Sequence, residues 1–160
     1  MTAAIGTVLT CLCIIGLGRS YSLHIKKEIA NLRALILLIE RIRARIECFR
    51  QPLCDIYDGF SNDDLDRIGF TDDLKANGLS FALIKHRGAL GIRNDTFVLL
   101  NEFALSLGKS YASEQVRICL DVKESLSDRL SQLERELPSK SRLSLTLSAA
   151  AAAMTAILFL

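Results

Sequence analysis

Gly108-Lys109-Ser110 has the order that closes a phosphate-binding loop. Such a loop needs a second glycine five residues before Gly108, where this chain has Phe103, and it follows a strand. Here the tripeptide follows a helical pattern, so it is expected to be a helix stop with a basic neighbour. His24 and His86 are isolated in sequence, with no second ligand at i+4 and no nucleophile beside them. The five cysteines are Cys11 and Cys13 in an apolar N-terminal stretch, then Cys48, Cys54 and Cys119, without Cys-x-x-Cys or zinc spacing. They read as small buried apolar side chains in a reducing compartment. No catalytic residue, metal or cofactor is predicted, and the chain is not expected to be an enzyme.

Two charged groups could bind a partner. Asp55, Asp58, Asp63, Asp64, Asp66, Asp72 and Asp73 face only Arg67 as an opposing charge in that stretch. They lack the alternating acidic order and terminal Glu of a calcium loop. They can serve as helix caps and a solvated face, or as an electrostatic docking surface. Their counterpart is the row Arg41, Arg43 and Arg45 with Arg50, whose alternate spacing spreads the guanidinium groups around a helix. The candidate partner contacts are Arg41, Arg45 and Glu47, with Asp63, Asp64 and Asp66. Pairing of the two patches inside one chain remains an equal alternative.

The elements that must position these residues are helical throughout. Residues 21–49 contain neither Pro nor Gly, and Ile25, Ile29, Leu32, Ile36, Ile39, Ile42, Ile46 and Phe49 recur at three and four residues. Leu35, Leu37 and Leu38 widen the arc, which predicts a helix enclosed at its centre. Pro52 suits the first position of a short helix ended by Gly59. Ser61–Asp64 and Thr71–Asp73 are N-terminal signals, with Gly69, Gly78 and Gly88 as stops. Asn94 is placed as the cap of a helix over 95–107 that Gly108 ends. A last stripe, Val116, Cys119, Val122, Leu126, Leu130, Leu133 and Leu137, predicts a helix over 113–137 broken by Pro138. No segment alternates as a strand does.

All 20 Lys and Arg and all 18 Asp and Glu residues lie between Arg19 and Arg142. The net charge of +2 gives no nucleic-acid footprint, but the two uncharged ends are informative. An 18-residue helix spans about 27 Å, close to the hydrocarbon core of a bilayer. The expected architecture is therefore an all-α helical bundle, residues 19–142, between transmembrane helices at 1–18 and 143–160. The first stretch has no basic residue before its apolar run and no clear small-x-small site, which favours a retained span over a cleaved leader. The last is alanine-rich and weaker, with a buried soluble helix as its alternative; Ser144, Ser148 and Ala152 form a small-residue stripe suited to a partner helix. Arg19, Lys26, Lys27 and Arg33 follow the first span, and Arg135, Lys140 and Arg142 precede the second. The middle domain is thus expected in the cytoplasm.

On these residues the chain resembles the stage III sporulation protein AB family of endospore-forming bacteria. The resemblance runs over essentially the whole length. It is carried by Arg45-Ile46-Glu47-Cys48-Phe49-Arg50-Gln51-Pro52-Leu53, by Phe103-Ala104-Leu105-Ser106-Leu107-Gly108, and by Glu114-Gln115. Pro52-Leu53, Leu107-Gly108 and Gln115 are its most specific part. Arg45 stands where the family usually has Glu, and the second span is alanine-rich where the family has glycines. The resemblance implies a non-catalytic subunit of the channel-like apparatus between mother cell and forespore, in the mother-cell membrane facing the forespore. Its helical domain would be similar to inner-membrane platform proteins of type II secretion and type IV pilus machines. The implied partners are sister membrane subunits and a cytoplasmic ATPase, with no small-molecule substrate and no nucleic acid. The alternative is a membrane-anchored regulator or sensor whose bundle binds a cytosolic ligand.

Overall fold

The computed structural model describes the backbone of residues 2–49 and 52–159, and the side chains of 23–48, 52–138 and Thr146. The described residues are all-helical, with no strand. The helices are α1 (Thr2–Phe49), α2 (Leu53–Asp58), α3 (Asp63–Asp66), α4 (Phe70–Asn77), α5 (Leu79–Lys85), α6 (Arg87–Leu90), α7 (Asn94–Ser106) and α8 (Ala112–Phe159). Among the described residues no helix is long and apolar enough to cross a membrane. The predicted spans at 1–18 and 143–160, with Cys11, Cys13 and the small-residue stripe, lie outside the described side chains but for Thr146. Phe49 and Arg50 also lie outside them.

The chain divides into two compact units, Met1–Lys26 with Gln132–Leu160, and Lys27–Ser131. In the first unit Ile25 and Leu133 are buried. In the second, α1 supplies the spine. Leu32, Leu35, Leu38, Ile39 and Ile42 are fully buried, and the short helices add Ile56, Leu65, Phe70, Leu74, Leu83 and Leu90. Leu100 and Phe103 of α7 and Cys119, Val122 and Leu126 of α8 close the core. The three-and-four spacing predicted these faces because burial follows the helical period. Leu37 departs from it and is exposed, since the enclosed arc reaches Leu38 but not its neighbour.

Several boundaries differ from the sequence reading. Helix α8 passes through Pro138 without breaking. A proline inside a helix has no N–H to give to the carbonyl four residues earlier. Pro138 is exposed, and the strong helix formers just before it carry the helix on. Gly88 lies inside α6, and Gly91, at φ 65, supplies the stop instead. Helix α4 starts at Phe70 behind Gly69, so Thr71 is buried in its first turn rather than capping it. Pro52 sits one residue before α2. Asn94 accepts from Arg87 at 2.7 Å, and the side chain of Asp95 takes the Thr96 N–H at 2.8 Å.

Candidate interaction surface

The three most specific motif elements meet in one corner. Gly108 ends α7 at φ 78, and a Cβ placed on it would lie 3.6 Å from Leu53 Cδ1. Gln115, in the first turns of α8, accepts the Gly108 N–H at 3.3 Å and donates to the Ser110 carbonyl at 2.6 Å. Pro52 and Leu53 thus enter α2 beside the turn that Leu107 and Gly108 make, and one side chain from α8 fixes that turn. The Gly108 N–H is committed to Gln115, so the Gly-Lys-Ser tripeptide is a helical hairpin. Its tip projects Lys109, Ser110 and Tyr111, the last 89% exposed. Spacing alone could not show this, because residues 53 and 115 belong to different helices and 108 to the turn after a third.

The Arg row is held rather than displayed. Arg43 pairs with Glu47 at 2.7 Å. The Arg41 guanidinium packs on Gly59 at the end of α2, beside the Asp55 carbonyl, and any side chain at Gly59 would strike it. Arg45 is half-buried and is also engaged. Tyr57 of α2 lies within electrostatic reach of Cys119 of α8, and Cys119 within that of Arg43. Burial pushes the Tyr57 hydroxyl up to about 12 and the Cys119 thiol up to about 11. Cys119 is therefore a buried apolar side chain as expected, whereas Cys48 and Cys54 are exposed, one on the outer side of α1 and one in the first turn of α2.

The acidic residues divide by role. Asn62 caps α3 by accepting the Asp64 N–H at 3.1 Å. Ser61 donates to Asp66 at 2.6 Å and, as the largest cause, holds that carboxyl below its ordinary value. Asp64 lies 3.7 Å from Arg67, while Asp55, Asp58, Asp63 and Asp72 are exposed. The N-caps of α2, α3 and α4 are Pro52, Asn62 and Gly69, so most of the cluster's carboxylates lie in first turns rather than at caps, and together they form an acidic surface over α2 to α4.

His86 is not isolated. Its Nε2 lies 2.6 Å from Asp73, which also takes Lys85 at 2.8 Å, and Phe70 meets its ring edge-on with centroids 6.0 Å apart. Thirteen residues separate the pair in sequence, and the α4–α5 hairpin at Gly78, φ 83, brings them together. Lys85 first, then His86, lowers the Asp73 pKa. A lowered carboxyl pKa adds stability above the unfolded value near 3.8, and that stability is lost as pH falls through the folded value. Thermal melts of wild type should therefore drop on acidification below about pH 4, and D73N should lose less over that range. Equal losses would mean that Asp73 contributes nothing to acid sensitivity.

Sequence reading also missed three polar staples along α1. Asn31 donates to the Leu90 carbonyl at 2.8 Å, and Glu28, only 7% exposed, lies 3.6 Å from Arg129 of α8. Glu40 pairs with Lys123 further along. Among the described residues no three His, Cys, Asp or Glu side chains gather as a metal site. No family model, no curated protein and no solved structure matches the chain.

Proposed function

We propose that the chain is a non-catalytic platform subunit of the channel-like apparatus linking mother cell and forespore. In this reading the helical unit docks a cytoplasmic ATPase, and the uncharged terminal stretches pack against sister membrane subunits in the mother-cell membrane. The observation that carries the proposal is the corner at Leu53, Gly108 and Gln115. The residues on which the family resemblance rests most are far apart in sequence, yet they support one another in a single turn. A chance likeness of short apolar motifs gives no reason for that assembly. The acidic surface of α2 to α4 suits electrostatic docking of a basic partner surface.

The test is co-purification of the tagged full chain, in mild detergent, from sporulating cells. The ATPase and at least one membrane subunit of the apparatus should be recovered with it, and recovery should fall when Asp63 and Asp64 are changed to Lys. If neither subunit is recovered from cells that contain both, the platform reading fails.

A further inference from the structure

Helices α5 and α7 lie side by side, joined by the Ser80 hydroxyl and Asn101 at 3.2 Å. Their outer faces leave four large apolar side chains uncovered: Phe81 at 47%, Ile84 at 60%, Val98 at 43% and Leu105 at 51%. Single exposed apolar residues need no explanation, but these four share one face of two adjoining helices. Val98 and Leu105 are seven residues apart, two turns along the same side of α7. Charges of opposite sign bracket them. Asp95, an exposed carboxylate 3.8 Å from Arg93, is one turn before Val98, and Lys109 is just past the end of α7, in the turn fixed by Gln115.

We infer that this face binds a second copy of the same chain, with the two α7 helices antiparallel about a two-fold axis. An axis midway between Val98 and Leu105 sets each Val98 on the partner's Leu105. The same operation brings the end of α7 that carries Asp95 to the partner's end that leads into Lys109. Phe81 and Ile84 of α5 extend the covered apolar area to one side. A partner of a single charge sign would match only one end of the strip, whereas the reversed strip matches both. Self-complementarity of this kind is what a two-fold interface requires. Glu102 lies near the axis on the flank away from α5, so its two copies face the same side and oppose the contact.

The test is the mass of the full chain in mild detergent, by light scattering over a dilution series. Wild type should be dimeric, and V98R should be monomeric at the same concentration. K109Q and D95N should each weaken the dimer about fivefold, with Asn at 95 keeping an acceptor for the Thr96 N–H. The double variant should be no weaker than either single one, since all three remove the same two contacts. E102Q should tighten the dimer. The charge series decides the matter even if V98R perturbs folding. A monomeric wild type overturns the inference and leaves the face to a different protein. So does a dimer indifferent to V98R, or a double variant whose losses simply add.

Discussion

Replacing Arg129 with alanine should destabilise the folded chain by about 3 kcal/mol or more, whereas E28L/R129L should restore most of that loss. Glu28 on α1 is buried, and Arg129 on α8 is the cation beside it at 3.6 Å. Neither Glu28 Oε1 nor Arg129 Nε has a hydrogen bond. The pair is therefore held by attraction that must offset the desolvation of both charges, and its net contribution is small. Removing one partner is different, because the other charge stays out of water with nothing opposite it. Two leucines avoid the desolvation and fill similar space. Guanidinium unfolding of the full chain in detergent, followed by far-ultraviolet circular dichroism, measures both variants. If R129A costs less than about 1 kcal/mol, Glu28 reaches water or another donor, and the pair is not a buried one.

That pair also shows where sequence reading stops. The spine of α1 is legible because burial and the helical period coincide at Leu32, Ile39, Ile42 and Ile46. Glu28 and Asn31 sit on the same buried side, but a polar residue in an apolar stripe does not announce its partner. Arg129 is 101 positions away and Leu90 is 59. The same limit hid Asp73 and His86, which only the turn at Gly78 brings together. Glycine stops were legible in kind but not always in place. Gly88 and Gly91 are near neighbours, and only Gly91 takes the left-handed conformation that ends a helix.

The corner at Gly108 lies between these cases. The glycine was readable as a stop, since a left-handed residue after a helix is most often glycine. Its role as the place where Leu53 and Gln115 converge was not. The Arg row illustrates the opposite error. Three arginines at alternate positions look like a display of charge, yet Arg43 is tied to Glu47 and Arg41 is packed on Gly59. Of the residues first nominated for partner binding, the acidic ones on α3 are the more available.

Phe70→Ala should cost about 4 kcal/mol, the range for emptying a fully buried aromatic site, while F70L should cost under about 1.5 kcal/mol. Phe70 is entirely buried at the start of α4, and its ring meets His86 beyond the α4–α5 hairpin. The benzene ring is thus a packing support for the Asp73–His86 contact as well as core volume. Leucine keeps most of the apolar volume and loses only the edge-on ring contact. Alanine loses both and leaves a cavity between helices too short to shift as rigid rods. Unfolding of the two variants under the same conditions separates these effects. If F70A proves no worse than F70L, the short helices close over the gap, and α4 and α5 are then a yielding layer on the α1 spine rather than a fixed one.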